Sequence, residues 1–210
     1  MKYTGMPSVM WKLYHRSFRK HLITDLGYDS VSAKRIASKA EPVYKSIIEK
    51  LPEFEDRDRF KTNIVNCAVL IAFLKSMDRR PSVDELTVFY ANAMTTTATK
   101  IFCRMGGRKK FSDKDIAGMK ETADLKAADR NAYSWNMDYI PYKDGSGYEA
   151  RFTKCGICAL MKEYGFYDLV PAMCHLDYVM SDLGGVSDFI REYTLASGGP
   201  YCDCGYKKKK

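Results

Sequence analysis

The chain has 210 residues, of which 46% are hydrophobic and 29% charged, a composition that is typical of a folded globular protein and excludes a disordered one. Its longest apolar run, residues 67–74, is far shorter than the roughly 20 residues that cross a bilayer, so no membrane span is expected. Four of the eight net positive charges are the lysines at 207–210, and basic residues elsewhere alternate with acidic ones. Nucleic-acid binding is therefore not expected, and a small anionic substrate is equally compatible with the net charge.

Helical periodicity dominates the first 130 residues. Gly27 can end the first helix, and Asp29 or Ser30 can cap the second. Ser82 followed by Glu85 forms a capping box for the fourth helix, which is expected to stop before Gly106. An acidic loop is expected at 53–59. The five predicted helices cover residues 8–26, 30–50, 60–77, 82–103 and 112–130.

The sequence changes character near Trp135, where aromatic residues indicate core and hairpin packing. Two strands, 137–142 and 148–153, flank hairpin residues at 143–147. Helices at 158–164 and 169–180 and strands at 188–196 and 201–206 follow. We therefore predict an α+β fold with an N-terminal layer of about five helices packed on a small C-terminal antiparallel sheet. One domain is expected over 1–210, with a helical part at 1–130 and a mixed part at 131–210.

Seven cysteines occur in a chain with no visible export signal, so a cytoplasmic location and reduced thiols are expected. Cys67 and Cys103 lie in apolar helical surroundings and are predicted to act as small buried hydrophobic residues. The other five all fall in the last quarter of the chain. They are Cys155, Cys158, Cys174, Cys202 and Cys204.

These five cysteines form a CxxC, a CxC and a Cys-x-x-Asp pattern, the last from Cys174 and Asp177, which share one face of a predicted helix. Thiolates are good ligands for zinc and iron and strong nucleophiles near neutral pH. Three interpretations stay open from spacing alone: a zinc or iron–sulfur site held by the five cysteines, a catalytic cluster, or unconnected buried thiols. His175 is expected on a different helix face.

Arg191 lies in a predicted strand and has two interpretations. It is either a solvent-facing partner of Glu192 or Asp188, or a bidentate clamp for the carboxylate of an acidic substrate. Gly198 and Gly199 form a turn whose backbone amides are also able to bind an anion.

Several motifs together resemble the bacterial L-2-amino-thiazoline-4-carboxylic acid hydrolase family. The family shows a cysteine after a strand, a Cys-x-x-Asp, and a Thr-Leu-Ala-x-Gly-Gly segment before a final Cys-Asp-aromatic. This chain departs from the pattern at Cys204, which replaces the aromatic residue, and at Cys158, which is not part of the motif. The segments that carry the resemblance are 151–155, 164–166, 174–177, 193–199 and 202–203.

The resemblance implies hydrolytic opening of a 2-aminothiazoline ring to N-carbamoyl-cysteine, with a small carboxylate as substrate. It implies catalytic roles for Cys155, Cys174, Asp177 and Cys202. A thiolate, or a metal-bound water that the thiolates hold, is the expected nucleophile, and Asp177 is the base or its orienter. Substrate binding is assigned to Arg191, Thr194, Gly198 and Gly199. The alternative is a non-enzymatic domain that binds a small molecule or a metal, since the order of elements also resembles vinyl-reductase-like binding domains.

Overall fold

The computed structural model describes residues 1–55, 58–127 and 129–210. Within this described part, helices occupy the first 127 residues, and a four-stranded antiparallel sheet lies in the C-terminal part together with two more α-helices. The predicted α+β class is confirmed. The acidic loop predicted at 53–59 includes residues 56 and 57, and the predicted end of the fifth helix includes residue 128; these three residues lie outside the described part.

Side-chain caps set the beginnings of several N-terminal helices. Asp29 accepts hydrogen bonds from the N–H groups of Val31 and Ser32, and Ser82 and Glu85 form the predicted capping box. The helices are α1 (Met6–Thr24), α2 (Ser30–Lys50), α3 (Lys61–Ser76), α4 (Val83–Met94), α5 (Thr97–Gly107) and α6 (Asp113–Ala127).

The prediction of a single helix over 82–103 is wrong, because the helix is interrupted between the end of α4 and the beginning of α5. Thr95 leaves the helical conformation, and the Thr96 hydroxyl accepts a hydrogen bond from the N–H of Thr99, which caps a new helix. Threonine favours such ends because its hydroxyl competes for the backbone groups that would continue the helix.

The C-terminal elements are β1 (Asp138–Pro141), β2 (Gly147–Phe152), α7 (Gly156–Glu163), α8 (Val170–Gly184), β3 (Ser187–Ile190) and β4 (Cys202–Lys208), with 3-10 turns at Tyr167–Leu169 and Leu195–Ser197. The strand order is β1-β2-β4-β3, all antiparallel. The predicted hairpin is present, and the Tyr142 N–H donates to the carbonyl of Gly147. The strand predicted at 188–196 ends at Ile190, so the prediction is wrong for residues 191–196.

Helix α3 forms the centre of the main core, and nearly every side chain from Ile64 to Leu74 is buried. Cys67 belongs to this buried set, as predicted, whereas Cys103 on α5 is only half-buried. Helix α8 packs on α4 and α5 on one side and on β3 on the other, so it joins the helical layer to the sheet. Within the described residues, no helix combines the length and apolar character needed to cross a membrane.

A buried lysine fixes the segment that enters the sheet. The Lys126 ammonium binds the carboxylates of Asp58 and Asp129 and the hydroxyl of Ser134, and it lies 5.7 Å from the centroid of the Phe60 ring. Pairing and hydrogen bonding of this kind are needed to offset the desolvation penalty of burying opposite charges. The cluster holds Ser134, and thereby the neighbouring residue Trp135, in a defined place.

Candidate active site

Three separate segments of the C-terminal half meet around one cavity of about 340 Å³. Antiparallel pairing places Phe152 of β2 opposite Cys202 of β4, so Cys155, three residues after Phe152, comes near the start of β4. Helix α8 adds its residues from the other side. The sequence-predicted site residues that line this cavity are Cys155, Cys174, Asp177, Arg191, Cys202 and Cys204. A cavity of this size falls in the range of small-molecule sites.

Cys155 stands at the N-cap position of α7, with an extended backbone. The pKa of its thiol is lowered, first by a hydrogen bond from the thiol of Cys158, against the opposing effect of burial. The backbone N–H groups of Cys158 and Ile157 and the side chain of Trp135 lower this pKa further. These donors favour the thiolate over the thiol.

Trp135 is held beside Cys155 by its two neighbours. Ser134 belongs to the Lys126 cluster, and the Asn136 side-chain oxygen accepts hydrogen bonds from the N–H groups of Thr153 (2.9 Å) and Lys154 (2.7 Å). The sequence suggested only core packing for this tryptophan. It is indeed buried and packs against Phe60 with ring centroids 5.2 Å apart and ring planes tilted by 30°, but it also lines the cavity.

The other thiols at or near the cavity have raised pKa values. The hydrogen bond to Cys155 and burial raise the pKa of Cys158, which is half-buried and does not line the cavity. Burial raises the pKa of Cys174 to about 12 and also raises those of Cys202 and Cys204. Cys202 additionally accepts the N–H of Leu195 at 3.2 Å, which opposes its shift. These thiols are therefore neutral near pH 7.

Asp177 and Arg191 form an ion pair on the cavity wall. Nη1 of Arg191 lies 2.7 Å from Oδ2 of Asp177, and Nη2 donates to the carbonyl of Cys174 at 2.7 Å. The Arg191 side chain is 6% exposed, whereas that of Asp177 is 46% accessible because it faces the cavity. Burial raises the pKa of Asp177 although Arg191 acts in the opposite direction. The solvent-facing interpretation of Arg191 is wrong, since it lies beyond the end of β3 and points inward.

The loop that carries Arg191 is fixed by Asp203. The Asp203 carboxylate accepts hydrogen bonds from the N–H groups of Glu192 (2.9 Å) and Tyr193 (2.6 Å). These backbone donors are therefore unavailable to a sheet partner, which explains why the predicted strand stops at Ile190. In the sequence, Asp203 was noted only as part of the Cys-Asp motif, and its role in fixing this loop was not predicted.

Three residues assigned to substrate binding are not on the cavity wall. Thr194 caps the 3-10 turn at Leu195–Ser197 by accepting the N–H of Ser197. Gly198 follows with a positive φ of 80°, which favours glycine. A Cβ on Gly199 would lie 2.9 Å from the carbonyl oxygen of Thr194. The structure thus shows these residues shaping the turn that brings the N–H of Leu195 to Cys202.

The geometry gives no support to the predicted zinc or iron–sulfur alternative. In residues 1–55, 58–127 and 129–210, no group of three or more His, Cys, Asp and Glu side chains is arranged to hold a metal ion. His175 is exposed, stacks on Tyr178 with ring centroids 5.9 Å apart, and does not line the cavity.

The family model described as L-2-amino-thiazoline-4-carboxylic acid hydrolase matches residues 57–206. The chain belongs to this family. The resemblance seen in the sequence is thereby confirmed, and the matched segment contains all the residues that line the cavity. The family name is that of a hydrolase acting on a small molecule. Neither the curated proteins nor the solved structures contain a match to the chain.

Sequence reasoning missed a basic residue on the wall of this cavity. Lys110 lies with its ammonium 3.4 Å from the centroid of the Tyr206 ring and 3.4 Å from the hydroxyl of Tyr148. Burial lowers its pKa to about 8, against the influence of Asp115. Nothing in the local pattern pointed to this position, because Lys110 ends a basic run that looks like a solvated loop.

Proposed function

We propose that the chain hydrolyses a cyclic amidine such as 2-amino-thiazoline-4-carboxylate to N-carbamoyl-cysteine, with the Cys155 sulfur as nucleophile. The observation that carries this proposal is the place of Cys155 on the cavity wall at the N-terminus of α7, a position that favours a thiolate and where the pKa of its thiol is lowered. All seven cysteines lie within the described residues, and the pKa values of the other six are raised. A thiolate is far more nucleophilic than a thiol, so Cys155 is the best-suited attacking group on the cavity wall.

The proposed reaction proceeds in two steps. The Cys155 thiolate attacks the amidine carbon, the bond from this carbon to the ring sulfur breaks, and the ring sulfur takes up a proton and leaves as a thiol. The carbon then stays attached to Cys155 as an isothiourea. Water attacks the same carbon, Cys155 leaves as a thiolate, and N-carbamoyl-cysteine is released. One water molecule is consumed, and no ammonia forms.

Asp177 is the proposed acceptor of the proton from the attacking water. A carboxylate with a raised pKa that faces a cavity is suited to this role, because the higher pKa makes it a stronger base towards the attacking water. Arg191 is the proposed clamp for the substrate carboxylate. Each of its terminal nitrogens carries two hydrogens and gives one to Asp177 or Cys174, so donors remain for a ligand.

The test compares turnover of 2-amino-thiazoline-4-carboxylate by the unchanged protein and three single variants, followed as the gain of one water by mass spectrometry. Cys155→Ser should lower kcat by about 1,000-fold or more, as loss of a nucleophile does in other covalent enzymes. Cys174→Ser should have a smaller effect. Cys103→Ser is the matched control, because Cys103 is a half-buried cysteine that does not line the cavity.

Retention of most turnover by Cys155→Ser would show that another group attacks the ring. Acid quenching of the unchanged protein during turnover should trap the isothiourea on the tryptic peptide 155–162, which Lys154 and Lys162 define. Tight binding of a panel of cyclic amidines without conversion of any of them would instead support the non-enzymatic binding domain.

A further inference from the structure

The second cysteine of the CxxC does not contact the substrate in the proposed hydrolysis. Cys158 does not line the cavity, but it lies in the same first helical turn as Cys155. We propose that Cys155 and Cys158 are a redox-active dithiol, which reacts with a small disulfide of the glutathione type and closes into an intramolecular disulfide. This proposal does not depend on the substrate or mechanism of the hydrolase.

The backbone brings the two sulfurs together. Cys155 is the N-cap residue of α7, and Cys158 is the third residue of that helix. Side chains three apart on a helical turn are neighbours, with Cβ atoms about 5–6 Å apart, and a disulfide needs a moderately shorter separation. An N-cap side chain and the side chain of the third helical residue meet over the first turn of a helix, as they do in a capping box, so both sulfurs lie on the same side of α7. Closure therefore needs a backbone adjustment of about 1–2 Å in this first turn together with rotation of the two side chains.

The two thiols differ in the way that disulfide exchange requires. Cys155 lines the cavity and is held near N–H donors, so it is open to a small reagent and able to attack as a thiolate. Cys158 does not line the cavity and stays protonated, because its interaction with Cys155 and burial raise its pKa. Cys155 is thus the attacking residue, and Cys158 is the residue that resolves the mixed disulfide.

Competing partners for Cys155 are less favourably placed. Cys174 and Cys202 line the same cavity but stand on other elements, α8 and β4, whereas Cys158 shares the first turn of α7 with Cys155. The Cys202 sulfur is in addition already held by the N–H of Leu195.

The exchange balances in two steps. The Cys155 thiolate attacks one sulfur of the small disulfide, a mixed disulfide forms on Cys155, and the first small thiolate leaves. The Cys158 sulfur then attacks the Cys155 sulfur and loses its proton, and the second small thiolate leaves. Two electrons pass from the protein dithiol to the reagent, which is released as two thiols.

The experiment equilibrates the full chain with mixtures of oxidised and reduced glutathione, traps free thiols by alkylation in acid, and maps tryptic peptides by mass spectrometry. Lys154 and Lys162 place both cysteines on one peptide, whereas Cys174 and Cys202 fall on two others. We expect one transition in which peptide 155–162 loses two hydrogens and resists alkylation. Cys158→Ser should instead accumulate a single stable glutathione on Cys155, and Cys103→Ser should behave like the unchanged protein.

The result on the unchanged protein decides the proposal, so a variant that fails to fold does not leave it open. A disulfide that joins two peptides would overturn it, as would a peptide 155–162 that stays reduced when glutathione is largely oxidised. Equal accumulation of the mixed disulfide with and without Cys158 would also contradict it. Each of these measurements concerns thiols alone, so failure of the hydrolase proposal would leave their outcome unchanged.

Discussion

Gly156→Ala tests how the chain brings Trp135 to Cys155. A Cβ built on Gly156 would lie 2.5 Å from the carbonyl carbon of Tyr133 and 3.0 Å from Cζ3 of Trp135. Ordinary contacts begin at 3.4 Å, and the carbonyl oxygen of Tyr133 lies even closer to the added Cβ than its carbon does. The backbone of residues 133–135 therefore has to move away by more than about 1 Å, since backbone atoms cannot rotate aside as a side-chain tip does.

The magnitude follows from two opposing effects. Overpacking of this kind costs about 1–3 kcal/mol. Alanine gains at most about 1 kcal/mol over glycine in a helix. Because the closest contacts are with backbone atoms, the upper end of the overpacking cost applies, and we expect the free energy of unfolding to fall by about 2 kcal/mol in urea denaturation. Displacement of Trp135 also removes one donor that favours the Cys155 thiolate, so alkylation of Cys155 at neutral pH should slow.

The matched control is Gly106→Ala in the last turn of α5, where an added Cβ meets no atom within 4 Å. This variant should be as stable as the unchanged protein or slightly more so, with the same alkylation rate. The reasoning is refuted if Gly156→Ala matches Gly106→Ala in both stability and thiol reactivity.

Three further substitutions test the charges around the cavity. Arg191→Met should lower the free energy of unfolding by about 1–3 kcal/mol, which is less than for a fully buried ion pair because Asp177 is partly accessible. Adding Asp177→Asn to this variant should restore part of the loss in urea denaturation. Asp203→Asn removes one of two acceptors for backbone N–H groups and should speed hydrogen exchange at residues 192 and 193, by an amount equivalent to about 1–2 kcal/mol. Lys126→Met leaves two buried carboxylates without their cation and should cost about 3–5 kcal/mol. Burial raises the pKa of Asp129, but hydrogen bonds from Lys126 and Ser134 outweigh this effect and hold the pKa at about 2. The stability that the Asp129 carboxylate contributes is therefore complete above its unfolded pKa and is lost as the pH falls towards 2. Lys126→Met should weaken this acid dependence.

Each of these expectations has a clear contrary result. Additive effects of Arg191→Met and Asp177→Asn would mean that the pair is not coupled. Unchanged exchange at 192 and 193 would mean that Asp203 does not hold the loop. An unaltered stability profile between pH 4 and pH 2 in Lys126→Met would show that Asp129 is stabilised by other groups.

Local patterns determined the helices and the hairpin, because their signals lie within a few neighbouring residues. The capping box at Ser82 and the turn at 143–147 are of this kind, and both were predicted correctly. The helix interruption at Thr96 was not predicted, because the sequence does not distinguish a threonine that caps a helix from one that lies on a helix surface. The family was also recognisable from the sequence, since the order of cysteine and glycine motifs is specific.

The sequence by itself therefore determined the fold class, the family and the set of cysteines and charged residues that could meet. Only the tertiary structure decided which thiol has a lowered pKa, because the pKa of Cys155 depends on Trp135, 20 residues away, and on donors at the start of α7. It likewise decided that Arg191 faces Asp177, through a loop held by Asp203, and that Lys110 reaches the cavity. Such contacts join residues far apart in the chain, and spacing carries no information about which of them pack together.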